Sequence, residues 1–458
     1  MKPYFRNLII AFIASGLLTS CNKTTFLDAK PSSSIVVPTN LSDLRAMLDN
    51  TDVFTFSPAI GEISADNYYL SNTTWQSLSQ VEHNLYTWEK DLYGGVRSID
   101  DWRIPWQQVL YANIVLEQLD KLKPDSISKK EWNDCRGSAL FLRAHAFYNL
   151  VIHFAPAYDL STANTDLGIP IRLSTNIHTL NERATVQQSY DRILTDLAEA
   201  ATLLADNVSA NYRNRPSRPA VFGLCSRVYL NMRIYDKAGL YADSCLSLYN
   251  KLINFNTLST SATTPFDRLN DENIYYCQGV NYALLQGIAT TTFADTALYQ
   301  SYAANDLRKQ IYYRLISGNN YGFKRGHSGT IYTYTGLSTE EMYFNRAESF
   351  ARAGNTTAAM TDLNTVLSKR WKTGTFISMT ATSSADALQK ILAERRKELV
   401  WRGLRWPDLK RLNKEAAGIT LTRNINNILY SLLPGSPLYV FPIPDDEISL
   451  SGITQNPR

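Results

Sequence analysis

Carboxylate pairs are the first residues of this chain able to do chemistry: Asp100 with Asp101, Glu340 with Glu341, and Asp445, Asp446 and Glu447 together. A glycosidase needs two carboxyl groups a set distance apart across the bond it breaks, and acids adjacent in sequence do not meet that need by themselves. Acids also gather at helix starts, where the backbone dipole favours them, and that is the expectation here. The five histidines, His83, His145, His153, His178 and His327, fall in no HExxH or similar zinc pattern. No GxGxxG or GxxxxGKS/T run occurs. Gly326-His327-Ser328-Gly329 lacks the GxSxG spacing of a nucleophile elbow, so Ser328 reads as loop. Cys135, Cys225, Cys245 and Cys277 form no CxxC, and helix periodicity makes Cys225 and Cys245 ordinary apolar residues. The expectation is no enzyme, no metal, no cofactor and no structural disulfide.

Aromatic side chains point to binding instead. The chain has 27 Tyr, 17 Phe and 8 Trp in 458 residues. Tyrosine has a flat apolar face and a polar tip, which suits a surface that stacks on ligands, although the same rings also line helix seams. With 46 Lys and Arg against 42 Asp and Glu, the chain lacks the basic excess of a nucleic-acid protein. Hydrophobic residues at 44% supply the apolar material for one large or two ordinary globular domains.

Cys21 carries a different chemistry. Lys2 and Arg6 precede an apolar run over 8–18, and Leu18-Thr19-Ser20-Cys21 follows. This is the pattern of a secretory signal peptide, residues 1–20, ending in a sequence that resembles a bacterial lipobox. In that class the Cys thiol takes a diacylglycerol thioether, and the new amino terminus is acylated after cleavage. At ~0.8 kcal/mol per buried CH₂, three acyl chains hold a domain on a membrane far better than one. The run is shorter than the ~20 apolar residues a spanning helix needs. Residues 21–40, rich in Ser, Thr, Lys and Pro, then read as a lipidated tether.

The elements that must position a binding surface are mostly helical. Apolar spacing predicts a short helix over 41–48 and longer ones over 106–119 and 140–151. Thr185-Val186-Gln187-Gln188 has the form of a capping box, opening a helix with Val186, Tyr190, Ile193, Leu197, Ala201 and Leu204 on one face. Asp166-Leu167-Gly168-Ile169-Pro170 reads as a turn. Segments 219–249 and 339–369 superpose at an offset of 120 residues, each a helix, turn and helix. Each is about the size of one tetratricopeptide unit of roughly 34 residues. The fold class expected is mainly α: a tetratricopeptide-like helical repeat scaffold with large irregular, loop-rich insertions. Repeat units are placed near 104–153, 185–252 and 338–370, and aromatic insertions near 51–98 and 254–335. Loops of that length inside a domain tend to be functional.

Glu394-Arg395-Arg396-Lys397-Glu398-Leu399, then Gly403 to Arg411 with Arg405-Trp406-Pro407-Asp408-Leu409, then Phe441-Pro442-Ile443-Pro444, Glu447 and Gln455-Asn456-Pro457, carry a family resemblance. So do Phe26-Leu27-Asp28 and Pro31 after Cys21, Arg143-Ala144 leading to Tyr148, Gly168-Ile169-Pro170, and Arg183 to Thr185. This set resembles the SusD/RagB family of Bacteroidetes outer-membrane lipoproteins across nearly the whole chain, as one SusD-like domain over 41–458. The block 394–458 holds the most specific part. In helical geometry Glu394 and Glu398 would face Arg402 and Arg405, with Trp401 and Trp406 covering them. Glu394, Arg395, Arg396, Glu398, Arg405, Trp406 and Asp408 are thus assigned to the fold.

The resemblance implies a lipid-anchored outer-membrane protein at the cell surface. It captures oligosaccharide or polysaccharide and delivers it to a TonB-dependent, SusC-like transporter. A RagB-like peptide binder of the same architecture is the alternative. Asn22 and Lys23 stand where surface-exported relatives often have acids. Family binding residues vary with ligand, so the candidates come from this chain: Tyr68, Tyr69 and Trp75 in the first insertion, and Tyr299, Tyr302 and Tyr321 in the second. Asp66, Asn67 and Asn72 are the candidate hydrogen-bonding partners.

Overall fold

The computed structural model describes residue 38 and residues 40–126, 128–176 and 182–458. The signal segment 1–20, Cys21 and the tether as far as residue 37 lie outside the described residues. Asn40 caps α1 (Leu41–Leu48) by accepting the Asp43 amide at 2.9 Å.

Two long helices follow, α2 (Asp100–Lys121) and α3 (Lys129–Phe154). From Gly137 to Phe154 every residue of α3 is buried, so this helix is covered on all sides. Its one interior arginine, Arg143, is fully engaged. It donates to Asp196 of α4 (Val186–Leu203) at 2.8 and 2.7 Å and to Asn113 of α2 at 2.9 Å, tying three helices together. The capping box that starts α4 is present in both directions, Thr185 taking the Gln188 amide and Gln188 taking the Thr185 amide.

The 120-residue offset is structural. Helices α5 (Arg218–Asn231) and α7 (Thr339–Arg352) have 14 residues each, and a short turn at the matching position leads each into a second helix, α6 (Tyr235–Leu248) of 14 residues and α8 (Thr356–Leu367) of 12. Each helix from α2 to α8 packs on the next, and α9 (Ser384–Glu398) closes on α7. A Cβ on Gly239 of α6 would lie 2.2 Å from Ser349 Oγ of α7, so only glycine permits that approach. The chain is mainly α with a tetratricopeptide-like fold. Its principal apolar core runs through α2–α6, and a smaller one joins Phe344, Leu363 and Ile391 of α7, α8 and α9.

Two local readings change. Residues 167–170 form a strand, not a turn, paired with Arg183–Thr185. A Cβ at Gly168 would come 2.5 Å from Thr185 O, so the glycine lets the strands close. The two insertions are also less irregular than their sequence. The first is built of helices Thr51–Phe54, Ile60–Ser64, Asn72–Gln76 and Gln80–Tyr86 with strand β1 (Tyr68–Leu70). The second carries β2 (Thr292–Ala294) and the hairpin β3 (Tyr313–Ser317) and β4 (Asn320–Phe323). Elements of three to seven residues are too short to show a period. A last hairpin, β5 (Leu421–Ile425) and β6 (Ile428–Leu432), turns at Asn426 and Asn427, both at positive φ.

Candidate functional site

The strands bring the two insertions together. β1 pairs antiparallel with β2 in the register Tyr68 to Ala294, Tyr69 to Phe293 and Leu70 to Thr292. Alternation along β1 then sends Tyr68 inward and leaves Tyr69 half-exposed, its ring 5.4 Å from that of Phe293. The Tyr69 hydroxyl donates to Asn320 Oδ1 at 2.8 Å, linking β1 to the β3–β4 turn. That turn is Gly318-Asn319, with Gly318 at φ +54°. Tyr321 on β4 stacks on Tyr299 of the helix Thr296–Gln300, ring centroids 3.8 Å apart and planes 17° from parallel. Both rings are half-buried. Lys309 Nζ sits 4.7 Å from the Tyr299 ring centre. Burial, with Tyr321 adding to it, pushes the Tyr299 phenol pKa up, so the hydroxyl stays neutral.

Tyr299, Tyr321, Gln300, Asn319, Thr296 and Ala294 line a cavity of about 250 Å³. That is below the ~300 Å³ at which whole small-molecule pockets begin, a size for one ring of a longer chain. A larger cavity of about 400 Å³ lies between α2 and the segment 172–176. Val109, Leu110 and Leu173 with the Trp106 ring line it together with Arg103, Gln107, Asn113, Arg172, Ser174 and Asn176, and its two arginines pair with acids, Arg103 with Asp100 and Arg172 with Glu447.

The other candidate side chains are engaged inside the fold. Tyr68 is 1% exposed and donates to Ile63 O at 2.7 Å; Tyr302 is 2% exposed and donates to Lys397 O at 2.7 Å. Trp75 lies against His83 with ring centroids 3.6 Å apart, and its indole N–H donates to His83 O. Asn67 is buried and donates to Glu62 at 2.8 Å. Asp66 receives Arg405 and Arg396. Asn72 is exposed, but its side chain accepts the Asn426 amide. Tyr68, Tyr302, Trp75 and Asp66 thus spend polar atoms on the interior, and Asn67 is buried with its amide nitrogen on Glu62, so none of the five joins the exposed aromatic surface. Phe293, Lys309 and Asn320 join the surface. The Gly-Asn turn flanked by Tyr-rich strands was the available signal for Asn320.

The C-terminal block supports this surface from beneath, by contacts other than local ones. Glu394 and Glu398 form no direct ion pair with Arg402 or Arg405, although the Arg402 charge still helps lower the Glu398 pKa. Arg308 reaches both acids, Arg370 takes Glu398 at 2.7 Å, Arg402 goes to Glu340, and Arg405 to Asp66. Arg395 and Arg411 share Asp408. Trp401 stacks on Phe323 of β4 at 3.9 Å and meets Tyr68 edge-on, while Trp406 packs on Phe441. A helical spacing argument finds only neighbours within one helix, such as Arg411 with Asp408, and the other partners come from elsewhere in the chain.

Glu272, His327 and Glu340 bring possible ligand atoms within 4.8 Å of one another. Arg402 Nη2 donates to His327 Nδ1 at 2.8 Å, and arginine can only donate. The Nδ1 lone pair is thus used, and the ring proton lies on Nε2, 3.0 Å from Glu272 Oε2. Nε2 then has no lone pair for a metal. Burial first, and Arg402 second, lower the His327 pKa to about 3, so the ring is neutral. The acid pairs are similarly occupied. Asp101 accepts the Ala59 and Ile60 amides and the Tyr282 hydroxyl, Glu341 holds Arg227, and Glu447 holds Arg172 and the Trp102 indole. Ser328 is buried and donates to Tyr332 O at 2.6 Å.

A helical repeat array whose two insertions meet in an aromatic surface defines the class: a tetratricopeptide-like scaffold with inserted strands. Two family models match, one described as starch-binding associating with outer membrane over residues 25–230, the other as the SusD family over 290–458. The chain belongs to the SusD family. Among curated proteins there is no match. Solved structures share the fold. A SusD superfamily protein from Bacteroides vulgatus has a TM-score of 0.73 at 20% identity, covering 92% of this chain and 99% of that one. One from Bacteroides thetaiotaomicron has 0.72 at 20%, covering 92% and 100%. Surface glycan-binding protein A from Bacteroides fluxus has 0.70 at 15%, covering 92% and 100%.

Proposed function

We propose that this chain captures oligosaccharide or polysaccharide on the surface built by Tyr69, Tyr299 and Tyr321, with Asn320, Asn319 and Gln300 as hydrogen-bonding partners. The stacked pair Tyr299–Tyr321 beside an open cavity is the observation that carries the reading. Sugars present C–H faces that pack on aromatic rings and hydroxyl rims that take amide and phenol partners. The family's members are binding proteins, and a surface glycan-binding protein shares the fold, both of which support the reading. In this reading residues 1–20 are removed, Cys21 is lipidated, 21–40 tethers the protein to the outer membrane, and 41–458 is one SusD-like domain. The bound glycan is handed to a SusC-like, TonB-dependent transporter.

Affinity gels and calorimetry against plant, host and microbial polysaccharides test this, beside a peptide digest. Binding of one polymer class, weakened by Tyr321→Ala, is the expected outcome. Capture of peptides with no glycan bound would favour a RagB-like peptide binder.

A further inference from the structure

Lys410, on α10 (Arg405–Asn413), carries an ammonium into the interior at the C-terminal end of α3. Nζ donates to Ile152 O at 2.8 Å and to Ala155 O at 2.7 Å. An ammonium has three N–H donors, and among the described residues the third has no protein partner. Among the described residues no carboxylate pairs with it. Its chain neighbour Arg411 is different, being held by Glu348 and Asp408. The end of helix α3 offers about half a negative charge, which leaves the Lys410 cation only part-compensated. A lysine at 7% exposure ordinarily has a counter-ion.

Lys410 is one wall of a cavity of about 240 Å³. Pro156, Pro437, Val440 and Pro457 make the walls apolar, and Tyr439 adds a ring. At the rim Lys414 is part-exposed and pairs with Asp159 at 3.3 Å. Lys410 and Lys414 both line this cavity, and no Asp or Glu is among its lining residues. We propose that the cavity binds a small carboxylate-bearing molecule, its carboxylate on the third N–H of Lys410 and its body against the prolines and Tyr439. Burial lowers the Lys410 pKa to about 7, in keeping with a cation lacking its partner ion. The site shares no residue with the tyrosine surface, so the two readings stand or fall separately.

The experiment is a titration of the folded chain from Asn22, at constant ionic strength, with galacturonate, acetate and N-acetylproline. Galactose, acetamide and N-acetylprolinamide serve as uncharged counterparts. At least one carboxylate is expected to bind saturably while its counterpart does not. Lys410→Met is expected to weaken that binding about tenfold or more, the value of one hydrogen bond to a charged group. Ala157→Leu fills the cavity mouth and leaves the amine in place; it is expected to weaken binding as much, and it decides the matter if Lys410→Met does not fold. Tyr321→Ala is expected to leave this binding unchanged. Binding by none of the three carboxylates, or binding retained in Ala157→Leu, would overturn the proposal.

Discussion

Arg405 holds Asp66 with two parallel hydrogen bonds, Nε to Oδ1 at 2.7 Å and Nη2 to Oδ2 at 2.8 Å, across 339 positions of sequence. Asp66 stands two residues before β1, so this clamp fixes the strand that presents Tyr69 to the C-terminal block. Burial raises the Asp66 pKa, but Arg405's hydrogen bonds and charge, with Arg396, outweigh it and hold the carboxyl well below its usual range. Asp66→Ala leaves Arg405 largely buried without its anion. A loss of about 3 kcal/mol in urea unfolding is expected, from the known cost of breaking one side of a buried pair. Arg405→Lys is expected to keep the charge but lose the paired geometry, and to recover only part of the stability.

Trp75 and Tyr302 are packing residues on this structure, in contrast to their neighbours on the surface. Trp75→Ala should cost about 3 kcal/mol in the same assay, as for large aromatic truncations in a core. Tyr302→Phe removes two hydrogen bonds, to Lys397 O and with the Tyr313 hydroxyl, and should cost about 2 kcal/mol with glycan affinity unchanged. A glycan affinity lost in Tyr302→Phe at full stability would restore that residue to the site.

Helix α4 rests on its capping box. Thr185→Ala removes the acceptor of the Gln188 amide and should lower stability by about 1 kcal/mol, with Thr185→Ser close to wild type.

Acid should unfold this protein through its interior carboxylates. Burial raises the pKa values of Glu398 and Asp408, but their arginine partners outweigh it and set both at about 2. In the unfolded chain the values are ~4.3 and ~3.9. Their stabilisation is thus whole above the unfolded values and is lost as pH falls towards about 2. Glu62 has the opposite sign. Burial raises it to about 6, so the folded state holds its proton longer, and stability from this group falls as pH rises from about 4.3 towards 6. Urea midpoints against pH should show a shallower acid limb in Asp408→Asn, and a smaller decline towards pH 6 in Glu62→Gln.

The scaffold was legible in the chain because helices leave local marks. The Thr185-x-x-Gln188 box and the stripe along α2 depend on residues a few positions apart, and the 120-residue repeat is two copies of such local patterns. The tyrosine surface was half legible. Tyr69, Tyr299 and Tyr321 stand out by type, but what separates Tyr69 from Tyr68 is the pairing of β1 with β2, more than 200 positions away. Asp66 was named as a hydrogen-bonding candidate beside the tyrosines; the arginines that hold it lie on α9 and α10, far along the chain. Short strands and long-range ion pairs leave no period to read.

The most direct test is glycan affinity measured by calorimetry on wild type, Tyr299→Ala, Tyr321→Ala and Tyr69→Phe, with unfolding curves for each. Stacking of a ring on an aromatic side chain is worth about 1 kcal/mol. Both alanine variants are therefore expected to stay folded and bind several-fold more weakly, and Tyr69→Phe, which loses only the bond to Asn320, to bind slightly more weakly. Unchanged affinity for the same glycan in both Tyr299→Ala and Tyr321→Ala would contradict the assignment of this surface.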